Sequence, residues 1–400
     1  MSNATSVRLH ATAGQTLTLS ANDAGGDGGG AHAGAGAYFD VYGQFQAASN
    51  HAGGNGGAFF LAGGSRIWLD DFFNTRPQVL ANVAANGGAI HATDSPRVEC
   101  DGVDFGAIGS GNSASAGSGG AVLLRGSLLQ SDNCVYRDNQ ARAGDGGAIA
   151  AFTSTVRIDV DAAVALAPVH PTAAERGDTV ASQAPQATNC NALTTQCSRL
   201  SGNSAISSTG TNGNGGAVFA SASAVSINGT YLHRNTARRG GALLPGGRIG
   251  PIVDQQYPDL QQYQPVGVWR GDSQRGGAMT FTHVTAANNT GGSGFSPGAA
   301  QSYVYNTIIY GNSTASFGAL TKAVCNIDQG GTAGASANPL ASRREPAKTT
   351  GFNPARLPSM PALSGLAADL DNRGRPFGAA FDMGAYESST RYALLPVVMR

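Results

Sequence analysis

Short stretches in which hydrophobic and polar residues alternate recur along this chain, and five of them align without gaps. They are "CDGVDF" from Cys100, "SDNCVYRDN" from Ser131, "INGTYLHRN" from Ile227, "FTHVTAANN" from Phe281 and "VYNTIIYGN" from Val304. The first position of the alignment is small or apolar, and the fourth and sixth positions are hydrophobic or small. Because alternate residues of a strand share a face, the fourth and sixth positions indicate a short strand that faces a core.

The third position of the alignment predicts a corner between two strands. It holds Gly102, Asn133, Gly229, His283 and Asn306. These residue types adopt positive φ more readily than others. Asn228-Gly229 alone would indicate a two-residue β-hairpin, but a single left-handed residue bends the chain without reversing it. We therefore predict structural corners at Gly102, Asn133, Gly229 and Asn306, with His283 in the same role.

Asparagine ends most copies of this repeat. Asn139, Asn235, Asn289 and Asn312 close four of the five copies, and "LSGN" ending at Asn203 is a degenerate further copy. In the first copy Ile108 stands at this position, and Asn112 is the expected substitute. Stacked one above another, such asparagines can form a ladder of amide hydrogen bonds that pairs buried polar groups.

A second motif, Gly-Gly-Ala, lies between the strands and sets the period of the repeat. Its eight copies start at Gly29, Gly56, Gly87, Gly119, Gly146, Gly215, Gly240 and Gly276, and all but one of the spacings lie between 25 and 36 residues. The exception, 69 residues, indicates an insertion. Two glycines permit a tight turn, and alanine fits where successive coils approach closely.

These periods favour one fold over its alternatives. A coil of about 27 residues is shorter than the roughly 40-residue blade of a propeller, and helix-period apolar stripes are scarce. We predict an all-β, single-stranded, right-handed parallel β-helix with two loop insertions and an irregular C-terminal cap. Residues 1–325 form the β-helix, with insertions at about 160–199 and 244–275, and residues 326–400 form a Pro-rich cap and tail.

Composition limits the classes of partner. The chain has 58 glycines but 41% hydrophobic residues, so we expect it to fold. Its 25 basic residues balance 25 acidic ones, and we expect no nucleic-acid partner. No apolar stretch reaches the roughly 18 residues that a membrane-spanning segment needs. The first residues, "MSNATSVRLHATAG", lack the charged and apolar regions of a secretory signal.

Cysteine and histidine give no metal or cofactor prediction. Of five cysteines, Cys190 and Cys197 are close enough in sequence to form a disulfide within their own loop, and the others are interpreted as small buried hydrophobic residues. No Cys-x-x-Cys pair or Cys/His spacing suggests zinc. We therefore predict no metal and no cofactor.

Two groups of residues are candidates for chemistry or binding. Asp101 and Asp132 fall on adjacent coils and could approach the roughly 5 to 9 Å that glycoside hydrolysis requires between two carboxylates; the alternative is ordinary turn chemistry of Asp before Gly or Asn. The loop "DQQYPDLQQYQPVGVWRGD" offers aromatic and cationic side chains that suit sugar rings or a protein partner. Alternatively, this loop packs its rings on the coils. Its candidate binding residues are Tyr257, Tyr263, Trp269 and Arg270.

The motifs resemble known families. "GGAI" and "GGAV", with "YRDN", "LHRN" and "IYGN", resemble the repeats of chlamydial polymorphic outer-membrane proteins. "NTIIYGNS" followed by "RGRPFGAAFDMGAYE" is more similar to the bacterial choice-of-anchor proteins, which are right-handed parallel β-helices ending in a DxGAYE motif. A long parallel β-helix is also similar to the pectin-lyase-like enzymes.

The resemblance implies an exported or cell-surface protein. We expect an extracellular module that is adhesive, or that binds a polysaccharide or a surface protein, without catalysis. The alternative is a polysaccharide lyase or glycoside hydrolase of the pectin-lyase-like type. Convergent carboxylates and a base on one lateral face would favour the enzyme.

Overall fold

A computed structural model describes most of the first 240 residues and parts of the chain beyond them. The described residues are 6–11, 14–34, 36–70, 76–159, 198–207, 213–240, 243–246, 279–282, 284–290, 302–305, 307–310, 312, 322–324, 326–328 and 335–336. They contain strands and turns but no helix. Within this part of the chain, nothing helical is long and apolar enough to cross a membrane.

Between Ser6 and Gly246, each coil contributes one short strand to each of four sheets, A to D, in turn, and the described strands after Gly246 belong to sheets A and B. Sheet A comprises β1 (Ser6–His10), β5 (Tyr38–Tyr42), β9 (Arg66–Asp70), β13 (Arg97–Asp101), β17 (Leu128–Asp132), β21 (Thr155–Asp159), β25 (Ala224–Asn228), β29 (Met279–Thr282), β31 (Ser302–Tyr305) and β33 (Lys322–Val324). Sheet B comprises β2 (Leu17–Ser20), β6 (Phe45–Ala48), β10 (Gln78–Leu80), β14 (Asp104–Phe105), β18 (Val135–Arg137), β22 (Arg199–Ser201), β26 (Tyr231–His233), β30 (Thr285–Ala287), β32 (Ile308–Tyr310), β34 (Asn326–Asp328) and β35 (Ala335–Ser336).

The other two sheets have seven strands each among the described residues. Sheet C comprises β3 (Asp23–Ala24), β7 (His51–Ala52), β11 (Val83–Ala84), β15 (Ser113–Ala114), β19 (Gln140–Ala141), β23 (Ser204–Ala205) and β27 (Thr236–Ala237). Sheet D comprises β4 (Ala31–Ala33), β8 (Phe59–Ala62), β12 (Ile90–Thr93), β16 (Val122–Arg125), β20 (Ile149–Phe152), β24 (Val218–Ser221) and β28 (Leu243–Gly246).

Successive coils pair in parallel and in register. In sheet A, for example, β13 pairs with β17 so that Arg97 lies opposite Leu128 and Asp101 lies opposite Asp132. Residues related in this way form a column along the fold. The fold class predicted from the sequence, an all-β parallel β-helix, is confirmed. The predicted insertions lie mostly outside the described residues, and β34 and β35 continue sheet B into the predicted tail.

The core is filled from alternate positions of the longer strands. The second and fourth residues of the five-residue sheet A strands point inward, as Val98 and Cys100 do in β13, and so do the first and third residues of the sheet D strands. Aromatic rings extend the stacking between coils: Phe105 and Tyr136 lie 4.9 Å apart with an interplanar angle of 6°. Each fully buried large side chain contributes roughly 1.5–3 kcal/mol, so every coil adds several such terms.

The two glycines of each Gly-Gly-Ala corner have different physical roles. The first has positive φ, for example 58° at Gly87 and 72° at Gly119. At the second, a Cβ atom would lie 2.0–2.4 Å from a main-chain oxygen of the next coil at residues 29, 57, 88, 120 and 147. The first Gly-Gly-Ala motif, which starts at Gly29, is offset by one residue from this corner, because pairing of Ala31 with Phe59 places Gly28 in the column of Gly56.

Positive φ recurs at four positions of a typical coil, for example at Asn133, Asp138, Gly146 and Thr153, and two of these positions flank the sheet B strand. Three of the residues predicted from the sequence have positive φ: 64° at Gly102, 52° at Asn133 and 54° at Gly229. Asn306 and His283 lie outside the described residues. The second corner immediately precedes an asparagine in most coils, and it is often made by a residue with a side chain. Its members are Ala21, Ser49, Ala81, Asp138, Gly202, Arg234 and Asn288.

Nine asparagines form one continuous column through the fold. They are Asn22, Asn50, Asn82, Asn112, Asn139, Asn203, Asn235, Asn289 and Asn312. The side-chain amide of each of the first eight donates to the Oδ1 atom of the next asparagine, at 2.8–3.0 Å. Asn112 occupies the column, and Ile108 lies outside it with 81% of its surface exposed.

At a buried position of this asparagine ladder, both amide hydrogens and the amide oxygen of the side chain have hydrogen-bond partners. At Asn139, the second amide hydrogen is donated to the main-chain oxygen of Phe105 at 2.9 Å. Its Oδ1 atom accepts both the main-chain N–H and the side-chain amide of Asn112, at 2.9 and 3.0 Å. The ladder therefore satisfies polar groups that would each cost free energy if buried without a partner.

Candidate functional site

The outer side of sheet A carries many polar and charged side chains among the described residues. Because the second and fourth residues of each strand point to the core, the first, third and fifth point away from it. We call these outward residues of β5, β9, β13, β17, β21 and β25 the sheet A face. They are Tyr38, Asp40, Tyr42, Arg66, Trp68, Asp70, Arg97, Glu99, Asp101, Leu128, Gln130, Asp132, Thr155, Arg157, Asp159, Ala224, Ser226 and Asn228.

A carboxylate held by two arginines lies at the centre of the first half of this face. The Nε atom of Arg97 lies 2.6 Å from Oε1 of Glu99, and Arg66 donates from Nε to Oε2 of the same carboxylate. The three side chains are only 24%, 12% and 10% exposed for Arg66, Glu99 and Arg97. Removal of Arg66 or Glu99 would leave a partly buried charge without its counter-charge, which is strongly destabilising. The three side chains therefore stabilise one another in this arrangement.

Two aromatic rings lie close to the guanidinium group of Arg66. The guanidinium carbon of Arg66 lies 5.3 Å from the centre of the Tyr38 ring and 5.4 Å from that of Trp68. Trp68 is 1% exposed, so it supports the arginine and is not available to a ligand. Burial raises the pKa of Tyr38 to about 12, against the opposing effect of Arg66, so its hydroxyl stays protonated at neutral pH.

A fully buried carboxylate, Asp40, lies at the start of the same face. Tyr42 donates its hydroxyl hydrogen to Oδ2 of Asp40, and Nε of Arg8 lies 3.9 Å from the same oxygen. The Tyr42 ring packs 6.2 Å from that of Trp68. These contacts join the first three coils into one network of charges and rings.

Four aspartates form a column along the far edge of the sheet A face. Asp70, Asp101, Asp132 and Asp159 are the last residues of β9, β13, β17 and β21, and each lies opposite the next. Parallel strands lie about 4.8 Å apart, so four like charges follow one another at that spacing. Like charges directly opposite each other destabilise a sheet.

Side-chain amides line the same edge. Asn133 donates to Oδ1 of Asp101 at 3.2 Å, and Gln130 donates to Oδ2 of Asp132 at 3.1 Å. A longer contact of 3.4 Å joins Asn228 to Asp159. These donors offset part of the repulsion and orient the carboxylates.

The structure brings the two candidate catalytic residues together but gives them no distinct roles. Asp101 and Asp132 are directly opposite each other, both are half-buried, and each accepts a hydrogen bond from an amide. A glycosidase pair needs environments that push the two pKa values apart, whereas these two carboxylates occupy equivalent places in a column of four. Within the described ranges, no group of three or more His, Cys, Asp or Glu residues could hold a metal ion.

The remaining candidates lie beyond the part of the chain that the structure describes. These are the binding residues Tyr257, Tyr263, Trp269 and Arg270 and the predicted disulfide pair Cys190 and Cys197.

The sequence reasoning missed most of the sheet A face. A signal was present in the pentapeptides "RIWLD", "RVECD", "LLQSD" and "TVRID", which all end in aspartate after an alternating pattern. Aligning these strands, in addition to the corner that follows them, would have found Asp70 and Asp159 as well as the outward positions of Arg66 and Glu99. The cross-coil contact between Arg66 and Glu99 depends on the register of pairing, which the alignment alone does not give.

Comparison of the chain with protein-family models, with curated proteins and with solved structures finds no match. The resemblance to choice-of-anchor and chlamydial proteins therefore stays a prediction, apart from the parallel β-helix that it implied. The structure identifies the chain at the level of its fold, as a parallel β-solenoid.

Proposed function

We propose that this chain is an exported, cell-surface module that binds an extended, hydroxyl-rich polymer along the sheet A face without breaking it. The observation that carries the proposal is the repetition of polar outward side chains at the spacing of the coils. Gln130 and Asp132, Arg157 and Asp159, and Ser226 and Asn228 occupy the same two columns on three successive strands, and all six are partly exposed.

The chemistry of these columns suits sugar hydroxyls. Carboxylates accept hydrogen bonds, guanidinium groups donate them, and amides do both, so a row of all three can pair with successive hydroxyls of a chain. The stack of coils is long and regular, as in other solenoids that present extended binding surfaces. A polymer lying along the columns would meet two polar side chains at each of these three coils.

Charge favours a neutral polymer over an acidic one. The aspartate column places four carboxylates in succession along the face. An acidic polysaccharide aligned with that column would bring like charges together at a few ångströms, and this repulsion opposes binding. We therefore propose a neutral polysaccharide as the ligand class. The chain's balance of 25 basic and 25 acidic residues adds no long-range attraction for a polyanion.

Binding to a panel of soluble polymers tests the proposal. Neutral galactomannan, xyloglucan and dextran should include a ligand, whereas polygalacturonate and alginate should bind more weakly. The double variant Gln130→Ala/Arg157→Ala should weaken binding by roughly 5- to 150-fold, because each of the two lost hydrogen bonds contributes roughly 0.5–1.5 kcal/mol. The matched control is Arg125→Ala, which removes an exposed arginine from sheet D and should bind as the wild type does.

Three outcomes would overturn the binding proposal. The panel could contain no ligand, the double variant could bind as well as the wild type, or the Arg125 control could lose as much affinity as the double variant. Location is tested separately, by fractionating the producing cells and probing intact cells with an antibody against the chain. Recovery only from the cell interior would contradict export.

An enzyme of the polysaccharide lyase or glycoside hydrolase type is the second candidate. It is favoured by the direct opposition of Asp101 and Asp132 across adjacent strands. Incubation with the same polymers, followed by measurement of new reducing ends and of unsaturated uronate products, tests it. Turnover that is lost in Asp101→Asn and in Asp132→Asn, with the fold retained, would establish the enzyme and reject a binding-only role.

A further inference from the structure

Two cysteine thiols meet inside the core of the solenoid. Cys100 is the fourth residue of β13 and points inward, and Cys134 follows the left-handed corner at Asn133 in the next coil. Both side chains are buried and both thiols are free. Their Sγ atoms are 2.8 Å apart, although 34 positions separate the residues in the sequence.

The separation of the two Sγ atoms is shorter than a van der Waals contact and longer than a disulfide bond. Atoms as small as carbon pack best at about 3.5–4.0 Å, whereas a disulfide bond measures about 2.05 Å. A displacement of less than about 1 Å would therefore bring the two sulfurs to bonding distance. The corner residue Asn133 and the paired strands β13 and β17 already fix the backbone on both sides.

The other polar contacts of the two thiols are with uncharged groups. The Cys134 thiol also lies 3.2 Å from the main-chain oxygen of Asp132, and the Sγ atom of Cys100 lies 3.8 Å from the hydroxyl of Tyr136. That hydroxyl donates its own hydrogen to Ser131 at 3.0 Å. No cation and no histidine takes part in any of these contacts. The pair thus lacks the charged partners of a reactive, catalytic thiol.

We propose that Cys100 and Cys134 are joined by a disulfide bond when the chain folds in an oxidising environment, so that the bond cross-links two adjacent coils through the core. The interpretation of Cys100 and Cys134 as small buried hydrophobic residues would then describe only the reduced protein. This inference does not rest on polymer binding by the sheet A face, and the two can fail separately.

The oxidant for this reaction is a low-molecular-weight disulfide such as oxidised glutathione. One cysteine thiolate attacks the small disulfide, which forms a mixed disulfide on the protein and releases one small thiol. The second cysteine thiolate then attacks the protein sulfur of the mixed disulfide and releases the second small thiol. The two cysteines lose two electrons and two protons, and the small disulfide gains them.

Burial of the two cysteines also determines at which stage of folding the disulfide bond can form. Burial in the core raises the pKa of the Cys134 thiol well above its usual value, and the hydrogen bond with Cys100 raises it further. Because the thiolate is the nucleophile, the folded and reduced protein should react slowly. A mixed disulfide would also need space that the packed core does not offer. The bond should therefore form while the two coils are still closing.

Refolding in two redox buffers tests the proposal. The full chain is unfolded with reductant and refolded either with a mixture of reduced and oxidised glutathione or with reduced glutathione alone. Free thiols are then blocked with N-ethylmaleimide in denaturant, and the peptides are mapped without reduction. The peptide containing Cys100 should be linked to that containing Cys134 after the first refolding, and both should carry the blocking group after the second.

Two variants provide matched controls because neighbouring coils already carry the replacements. Val103 occupies the position of Cys134 one coil earlier, and Ser131 lies opposite Cys100. Cys134→Val and Cys100→Ser should fold, and neither should show the linked peptide. Reductant should lower the urea midpoint of the oxidised wild type and leave that of Cys134→Val unchanged.

Recovery of blocked Cys100 and Cys134 from protein that refolded in the glutathione mixture would overturn the proposal. So would linkage of either residue to Cys190, Cys197 or Cys325 in place of its neighbour. Because the peptide map is made on the wild-type chain, it decides the question even if one of the variants fails to fold.

Discussion

Replacing one asparagine in the middle of the ladder should cost far more stability than replacing the one at its beginning. Asn139 is fully buried, and its Oδ1 atom is the acceptor for two hydrogens of Asn112, at 2.9 and 3.0 Å. The substitution Asn139→Leu keeps a similar volume but removes that acceptor. It also removes the amide that donates to the main-chain oxygen of Phe105 at 2.9 Å.

The expected loss follows from counting the groups left without a partner. The main-chain N–H and one side-chain hydrogen of Asn112 would be buried and unpaired, at about 1–3 kcal/mol each. We expect Asn139→Leu to lower the free energy of unfolding by about 2–6 kcal/mol.

The first ladder residue provides the control. Asn22 is exposed, and it donates to Oδ1 of Asn50 at 2.8 Å from its side chain and 3.2 Å from its main chain. In Asn22→Leu that Oδ1 atom keeps the main-chain donor, and no buried hydrogen loses its acceptor. The expected loss is below about 1 kcal/mol.

Urea unfolding followed by circular dichroism measures both losses by linear extrapolation. The slope with urea should be the same in the two variants and the wild type, so that the midpoints can be compared directly. Equal losses for the two variants, or a loss below about 1 kcal/mol for Asn139→Leu, would refute the reasoning that the ladder works by pairing buried amides.

Three further changes test other parts of the fold. His91 has a pKa lowered from 6.5 to about 4 by burial, aided by Arg125. The unfolded chain therefore binds the proton first, and this group's stabilising contribution is lost as pH falls from about 6.5 to 4. His91→Leu, the residue found in the same column one coil later, should abolish a loss of roughly 2 kcal/mol between pH 7 and 5, measured by urea unfolding at both pH values. Gly120→Ala would place Cβ 2.0 Å from a main-chain oxygen of the next coil and should lower the free energy of unfolding by at least roughly 3 kcal/mol. Its control is Gly126→Ala, which has open space around the new Cβ but a φ of 57°, and which should cost only about 1–2 kcal/mol. Similar thermal midpoints for the two variants would contradict the role given to the close approach of coils at Gly120. Burial raises the pKa of Asp145 above 3.8, so the stabilising contribution of this group is present at acid pH and is lost as pH rises through the folded-state pKa. Asp145→Asn should therefore be more stable than the wild type at pH 7. An unchanged or lower urea midpoint of the variant at pH 7 would count against this prediction.

Repetition made the fold predictable from the sequence. The aligned corners indicated one column of left-handed residues and one of asparagines, and the structure places Asn139, Asn235, Asn289 and Asn312 in a single ladder. The same logic pointed to Asn112 in place of Ile108.

The first coils were harder to align, for a physical reason. Asn22, Asn50 and Asn82 belong to the same ladder, but the corner before them uses Ala21, Ser49 and Ala81 with positive φ. These residues do not favour that conformation, so the sequence carries no signal for it. Paired strands on both sides hold the corner in place, and that constraint exists only in the folded chain.

The sheet A face was hidden for a different reason. Strand alternation can place Arg66, Trp68 and Glu99 on the outer side, but a fully buried outward tryptophan contradicts the usual expectation for such a position. The pairing of Arg66 with Glu99 spans 33 positions in the sequence and depends on register. Sequence spacing alone does not supply that register when the coils differ in length.

Distances along one column measure whether successive coils stack in parallel and in register. Pairing in sheet B places Ser20 four coils from Arg137 and six coils from His233. Spin labels introduced as unnatural amino acids, which avoid the native cysteines, allow both separations to be measured by double electron–electron resonance. At about 4.8 Å per coil, the main-chain separations should be about 19 Å for Ser20–Arg137 and about 29 Å for Ser20–His233. Two equal separations, or a shorter one for the pair that is six coils apart, would contradict the stacked solenoid.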